Sequence, residues 1–86
     1  MALTFDIVSA TGLDLHREQL DRVVVRRREE RFQPGSEFAI CTRHAPLLMQ
    51  TEACLVRLTR GQQTETVECP PGVLEVLDDR VTLAIT

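Results

Sequence analysis

Aliphatic residues alternate with polar residues through most of the chain, and this pattern constrains the fold more than any other feature. In the opening segment, Leu3, Phe5 and Ile7 occupy every second position, with Thr4 and Asp6 between them. Successive side chains of a β-strand point to opposite faces of a sheet. The segment is therefore predicted to be a strand with Leu3, Phe5 and Ile7 on its core face and the polar pair on the other face.

Turn signals divide the second half of the chain into further short strands. LVRLTR (55–60) and TETVE (64–68) lie on either side of Gly61, a pattern typical of a hairpin with glycine at its bend. The acidic pair Asp78-Asp79 separates two more aliphatic segments and predicts a second tight turn. Short strands joined by such turns predict a small β-sandwich or flattened barrel.

The segment 13–31 is compatible with a strand or with an amphipathic helix. It is rich in Glu, Gln and Arg, and a helix would place Leu13, Leu20 and Val24 inward. Val24 is the centre of three consecutive valines, and β-branched side chains lose rotamer freedom on a helix but fit a pleated surface. We therefore prefer a strand for residues 20–26, with the helix as the alternative.

Length and composition exclude several classes of function. The 86 residues leave room for one domain, spanning 1–86, and three phenylalanines are its only aromatic residues. All ten basic residues are arginines, and the net charge is −3. Without lysine the chain can be neither a Walker A nucleotide hydrolase nor a Schiff-base enzyme.

Neither a membrane span nor a signal peptide is expected. No apolar run approaches the ~20 residues that a membrane helix needs, and the opening MALTFDIVSA has no basic amino-terminal region. Cys41, Cys54 and Cys69 are an odd number of cysteines spread singly along the chain. Together these features predict reduced thiols in a cytosolic compartment.

The cysteines and histidines do not have the spacing of a catalytic or metal site. His44 lies three positions after Cys41, but the sequence around them resembles no nucleophile motif, so we expect buried cysteines and a histidine in a turn. A zinc site using the three cysteines with His16 or His44 is a weaker alternative, because structural zinc ligands usually come in closely spaced pairs. No catalytic residues and no cofactor are predicted.

The run RRREER (26–31) is the only strong charge cluster of the sequence. Its arginines could bind an anionic ligand such as single-stranded nucleic acid, as small β-barrels do. Glu29 and Glu30 interrupt the run, however, and the chain is acidic overall, whereas nucleic-acid-binding domains are normally basic. A solvated hairpin tip is the simplest interpretation, and a protein-docking loop is the preferred functional one.

Four blocks of the sequence resemble the amino-terminal β-domain of the epsilon chain of F-type ATP synthases. Their order and spacing fit this family over nearly all of the chain. The matching residues are Val8-Ser9-Ala10; Phe38, Ile40 and His44 to Leu48; Leu55 to Leu58; and Gly72, Leu74-Glu75-Val76 and Val81 to Ala84. The resemblance implies a flattened β-sandwich of about ten short strands, with no helix in 13–31.

The chain also departs from the family pattern. Ala39, Arg43, Cys54 and Pro71 stand where the family usually has glycine, so local turn geometry is expected to differ. The segment 25–37 is longer and richer in arginine than its counterpart, and the family's carboxy-terminal helical hairpin is missing. These departures imply a divergent member, such as the epsilon chain of an alternate sodium- or proton-coupled ATPase, or a chain cut after the β-domain.

The function implied by the resemblance is that of a non-catalytic rotor subunit in the central stalk. In the family this domain packs on the gamma chain and rests on the loops of the membrane c-ring, which couples the two during ion transport. The implied location is peripheral, at the cytoplasmic face of the bacterial inner membrane, without membrane insertion or nucleic-acid binding. Without the hairpin, inhibition of hydrolysis and ATP sensing by that element are not expected.

The resemblance also assigns two contact regions. Pro46 restricts the preceding residue to extended geometry, so HAP (44–46) is expected to be a rigid corner, and Leu47 and Leu48 should leave it on opposite sides. One leucine would enter the core, contributing about 1.5–3 kcal/mol by burial, and the other could meet a partner. The gamma-facing residues are expected to be Ser9, His44, Pro46 and Leu48. The c-ring-facing loop is expected to include Arg27, Arg28, Glu29, Glu30, Arg31, Gln33 and Ser36.

Overall fold

The computed structural model describes residues 2–27 and 37–86 of the chain. Within this part, all regular secondary structure is β-strand, which confirms the predicted all-β class. The strands are β1 (Leu3–Ser9), β2 (Gly12–Leu20), β3 (Arg22–Arg27), β4 (Glu37–Cys41), β5 (Leu47–Thr51), β6 (Cys54–Arg60), β7 (Gln63–Cys69), β8 (Gly72–Leu77) and β9 (Arg80–Ile85). The expected count of about ten strands stays a prediction, because residues 28–36 lie outside the described ranges.

The strands form two sheets that pack face to face as a small β-sandwich. One sheet has five strands in the order β2-β1-β9-β8-β5, and the other has four in the order β4-β3-β6-β7. The β1–β9 pair is parallel and the other pairs are antiparallel. The chain passes from one sheet to the other between β2 and β3, β4 and β5, β5 and β6, and β7 and β8.

The core lies between the two sheets and is almost entirely aliphatic. Leu3 and Phe5 are completely buried and Ile7 nearly so, as the alternating pattern predicts. Each fully buried aliphatic side chain of this kind stabilises the fold by about 1.5–3 kcal/mol. Also 0–2% exposed are Val23, Ile40, Val56, Leu58, Leu74, Val76, Val81 and Leu83, and Leu20, Val24 and Val25 are 3–4% exposed.

The ambiguous segment is a pair of strands as far as Arg27, so the helix alternative is wrong for residues 13–27. β2 ends at Leu20, and the chain passes into the other sheet at Asp21. Two hydrogen bonds fix this crossing: the Asp21 amide donates to the Thr59 carbonyl (2.8 Å), and the Gly61 amide donates to the Asp21 carboxylate (2.6 Å). The valine triplet therefore lies in β3 of the four-stranded sheet, as its β-branched side chains favour.

Both predicted hairpin turns are present. Gly61, at φ +61°, joins β6 to β7, and the left-handed conformation there is one that glycine adopts without steric cost. Asp78 and Asp79 join β8 to β9 with φ of 50° and 61°. Two consecutive left-handed residues match the twist of a two-residue hairpin, and aspartate tolerates this conformation better than most residues do.

Candidate docking surface

The HAP corner connects β4 in one sheet to β5 in the other and is held against the β8–β9 turn. Arg43 precedes the corner in the left-handed conformation, at φ 63°, and its amide donates to the Asp79 carboxylate (2.6 Å). His44 is half-buried, and its Nδ1 donates to the neighbouring Ala45 carbonyl (2.7 Å). The histidine thus makes a local bond within the corner, in agreement with its expected turn role.

Leu47 and Leu48 leave the corner on opposite sides, as predicted. Leu47 is partly buried and packs against the core, whereas Leu48 is 70% exposed. A leucine this exposed on a short strand gains little burial from the fold of its own chain. Its side chain is therefore available to a second molecule.

Leu48 belongs to a small aliphatic patch on the outer face of the five-stranded sheet. A shallow hollow on this face brings Pro46, Leu48, Glu75 and Leu77 together, and we call these four residues the Leu48 patch. Leu77 is also exposed, at 47%. The register aligns Leu48 with Glu75 across β5 and β8, so the carboxylate lies beside the leucine on the same face.

The patch lies at an edge of the sheet. β5 is the outermost strand of the five-stranded sheet, with β8 as its hydrogen-bonded neighbour. An edge strand presents backbone amide and carbonyl groups along its outer side, which other chains can pair with. Contiguous exposed apolar patches mark interaction sites more often than scattered apolar residues do, and the Leu48 patch is contiguous and lies beside such an edge.

The sequence-based expectation grouped Ser9 with the HAP corner, and the structure places it elsewhere on the five-stranded sheet. Ser9 ends β1, and its hydroxyl lies 2.9 Å from that of Thr11 in the β1–β2 turn. Strands β9 and β8 lie between β1 and β5, a lateral separation of about 14 Å at the usual spacing of neighbouring strands. Of the four expected gamma-facing residues, His44, Pro46 and Leu48 are therefore close together, and Ser9 is apart.

Of the expected c-ring-facing loop, only Arg27 is within the described residues; Arg28, Glu29, Glu30, Arg31, Gln33 and Ser36 lie outside them. The Arg27 Nε donates to a Glu52 carboxylate oxygen (2.9 Å). Glu52 directly follows β5, and Pro46 directly precedes it. Arg27 is thus near the end of β5 and the Leu48 patch near its start, with Leu48 and Glu52 about 13 Å apart at the usual rise per residue of a strand.

The same outer face carries a charged cluster that the sequence analysis did not anticipate. Asp6, expected on the polar face of β1, does lie there, but it is buried because His16 on β2 covers it. His16 donates through Nδ1 to the Asp6 carboxylate and through Nε2 to the Glu18 carboxylate (2.8 Å). Both ring nitrogens donate only in the imidazolium form. The hydrogen bonds to Glu18 and then to Asp6 accordingly raise the pKa of His16 above its usual value of 6.5.

The cysteines divide into a buried pair and an exposed single residue. Cys54 on β6 and Cys69 on β7 are directly opposite in the antiparallel register and are only 3% and 2% exposed. Cys41 is exposed, so the expectation that all three are buried is wrong. Cys41 is the last residue of β4, an edge strand, which explains its exposure. In the described part of the chain, no three His, Cys, Asp or Glu side chains are grouped so as to hold a metal ion.

The two buried thiols influence each other's ionisation. A hydrogen bond from the Cys69 thiol to the Cys54 sulfur lowers the pKa of Cys54 to about 7, against the opposing effect of burial. The same hydrogen bond, together with burial, raises the pKa of Cys69. The Cys69 sulfur is also 3.7 Å from the Val67 carbonyl oxygen, a second acceptor for its proton.

The sequence matches no model of a known protein family and no curated protein. Within residues 2–27 and 37–86, no helix has the length and apolar character that a membrane crossing requires.

Proposed function

We propose that this chain is a non-catalytic central-stalk subunit of an F-type ATP synthase or ATPase. In this role it couples the gamma chain to the c-ring during proton or sodium transport, as a divergent relative of the epsilon chain. Its location is then peripheral, at the cytoplasmic face of the bacterial inner membrane. Its partners are the gamma chain and the polar loops of the ring.

The observation that carries the proposal is the Leu48 patch beside the HAP corner. The corner belongs to the most distinctive residue block of the resemblance, HAPLL (44–48). Its rigidity comes from Pro46 and from the Arg43–Asp79 hydrogen bond, which ties it to a turn of two left-handed residues. A fixed aliphatic side chain loses little conformational freedom on binding, and a partner that covers Leu48 gains about 2 kcal/mol from its burial.

The arrangement of the two candidate contact regions also supports a bridging role. The Leu48 patch lies near the start of β5 and Arg27 near its end, so the two regions offer separate contacts to two different partners. A compact sandwich, 38 × 31 × 23 Å along its principal axes, is a stiff spacer between such partners. At the Arg27 end, exposed ion pairs contribute only ~0–1 kcal/mol each, so this end sets register and selectivity more than affinity.

Size-exclusion chromatography with the cognate gamma chain tests the proposal. A permanent stalk interface buries on the order of 2,000 Å² or more, so the two chains should elute together at micromolar concentrations. Leu48→Glu places a carboxylate in the interface beside Glu75, and we expect at least ~30-fold weaker binding, equivalent to about 2 kcal/mol.

Leu13→Glu is the matched control for this experiment. Leu13 is 61% exposed on β2, at the other edge of the same sheet, and the substitution makes the same change of charge and size. It should leave binding of the gamma chain within about twofold of wild type. Separate elution of the wild-type chains would overturn the stalk assignment, and equal loss in both variants would overturn the assignment of the Leu48 patch.

The same preparation distinguishes the alternative of an anion-binding module that uses residues 26–31. That alternative predicts binding of single-stranded nucleic acid that weakens steeply between low and physiological salt. The stalk proposal predicts no such binding at either salt concentration, and fluorescence anisotropy with a labelled oligonucleotide measures it.

A further inference from the structure

The cysteine pair has a geometry that the proposed stalk function does not use. Cys54 begins β6 and Cys69 ends β7, and the antiparallel register places them directly opposite each other. Side chains of directly opposite residues point to the same face of a sheet, and their Cα atoms are about 4.5–5.5 Å apart. Disulfides form when Cα atoms are about 4.4–6.8 Å apart, so the reduced backbone already has the spacing of a disulfide.

We propose that Cys54 and Cys69 form a dithiol modification site, which a peroxide oxidises to a disulfide that links β6 to β7. The site takes a small oxidant because both sulfurs are buried in the rim of the sandwich. Cys69 lines a surface hollow with Ala53, the residue before Cys54, and with Pro70 and Pro71, which brings small molecules from solvent to the Cys69 side of the pair. Both cysteines also lie at strand ends, where local opening costs the least free energy.

The reaction proceeds in two balanced steps. The Cys54 thiolate attacks one peroxide oxygen and cleaves the O–O bond, which gives a Cys54 sulfenic acid; the other oxygen leaves as hydroxide or alkoxide and takes up the proton that Cys54 lost on ionisation, through solvent, to become water or an alcohol. The Cys69 sulfur then attacks the sulfenic sulfur, the S–O bond breaks, and the hydroxyl leaves as a second water with the Cys69 proton. Two electrons pass from the two sulfurs to the peroxide, and the protein loses two hydrogen atoms.

The assignment of roles follows from the ionisation of the pair. The thiolate is the reactive form of cysteine, and the hydrogen bond from Cys69 favours the thiolate of Cys54. Cys69 keeps its proton to higher pH and acts second, as the resolving thiol. Cys41 is exposed at the end of β4. Its register partner on β3 is Arg22, so no thiol lies opposite it.

Peptide mapping after peroxide treatment tests the proposal on the wild-type protein. Trypsin cleaves after arginine, and the arginine positions place the three cysteines in separate peptides: Cys41 in 32–43, Cys54 in 44–57 and Cys69 in 61–80. The reduced protein is treated with hydrogen peroxide, alkylated, digested without reductant and analysed by mass spectrometry. We expect peptides 44–57 and 61–80 to be linked, with a mass two hydrogen atoms below the sum of the two reduced peptides. Peptide 32–43 should not be linked to either.

Variants and reversal complete the test. Cys41→Ser should still form the link, whereas Cys54→Ser and Cys69→Ser should not. Dithiothreitol should restore the reduced protein, and the oxidised protein should melt higher by on the order of 10 °C, because the link closes a loop of the unfolded chain. Alkylation of both buried cysteines after peroxide, overoxidation of Cys54 without a link, or a link that involves Cys41 would overturn the proposal. Because the peptide map needs no variant, a misfolded serine variant leaves the test intact.

Discussion

Gly72 is the position at which the smallest substitution should do the most damage to the sandwich. It begins β8, where the strand pairs with β5 on one side and β9 on the other. A Cβ atom added at Gly72 would lie 2.3 Å from the Ala84 carbonyl oxygen, 3.1 Å from its carbon and 3.2 Å from a methyl group of Ile85. Two of these three atoms belong to the backbone of β9, so no rotamer change relieves the contact.

The cost of Gly72→Ala follows from what must move. To restore an ordinary contact distance, β8 and β9 must separate locally by about 1 Å, and overpacking of this kind costs about 1–3 kcal/mol. The shift also weakens the last backbone hydrogen bonds between the two strands, at about 1 kcal/mol each. We expect a total loss of about 2–4 kcal/mol from a domain whose stability is about 4–13 kcal/mol for its length. The melting temperature should then fall by roughly 10–25 °C.

Urea unfolding followed by circular dichroism measures this loss, and Gly61 provides the control. A Cβ at Gly61 meets no atom within 4 Å, but φ there is +61°, so only the backbone conformation is demanding. Asparagine tolerates that conformation, and Gly61→Asn should cost less than about 1 kcal/mol, whereas Gly72→Asn should cost at least as much as Gly72→Ala. If Gly72→Ala unfolds within about 0.5 kcal/mol of the wild type, the close approach of β8 and β9 is not what requires glycine.

Two further predictions concern single hydrogen-bonded groups. The raised pKa of His16 means that the folded state binds the imidazole proton more tightly than the unfolded state does, which stabilises the fold. This stabilisation is complete below pH 6.5, the pKa in the unfolded chain, and is lost as the pH rises through the raised pKa of the folded state. His16→Gln should therefore remove this pH-dependent loss. Between pH 6 and pH 9, its unfolding free energy, measured by urea titration, should fall less or rise more than that of the wild type. Cys54, with its lowered pKa, contributes in the opposite direction in both proteins. His44→Gln is the control, and an unchanged slope would contradict the imidazolium assignment. Asp21→Ala removes the acceptor of the Gly61 amide and should cost about 1 kcal/mol, with Asp14→Ala as a control of equal charge change; equal losses would show that charge rather than this bond is responsible.

The core and the turns were predictable from the sequence because they depend on local rules. Alternation at every second position places Leu3 and Phe5 on the buried face whatever the neighbouring strands are. The glycine and aspartate turns depend on the conformations that these residues tolerate, and this too is a local property. The valine triplet favoured a strand for the same reason, and tertiary structure did not override that preference.

The charged cluster and the cysteine pair depend instead on register between strands. Nothing local indicates that His16 lies opposite Asp6, or that Cys54 lies opposite Cys69, since strand register is set by pairing over the whole sheet. Asp6, which lies inside an apolar run, was the one sequence signal for the charged cluster, because a buried carboxylate needs a hydrogen-bonding partner. The exposure of Cys41 also required the topology, which makes β4 an edge strand.

The register of the five-stranded sheet restricts where a large partner can bind on its outer face. One row across this face runs from Leu48 through Glu75 and Thr82 to Asp6 and His16. A partner that covered the whole row would remove the imidazolium and the Glu18 carboxylate from water, and ionic groups are costly to desolvate even when they are paired. A partner confined to β5 and β8 covers the Leu48 patch and leaves the charged cluster hydrated. If the stalk proposal is correct, the gamma chain is therefore expected to contact this half of the sheet and not a region that extends to Ser9 at the end of β1.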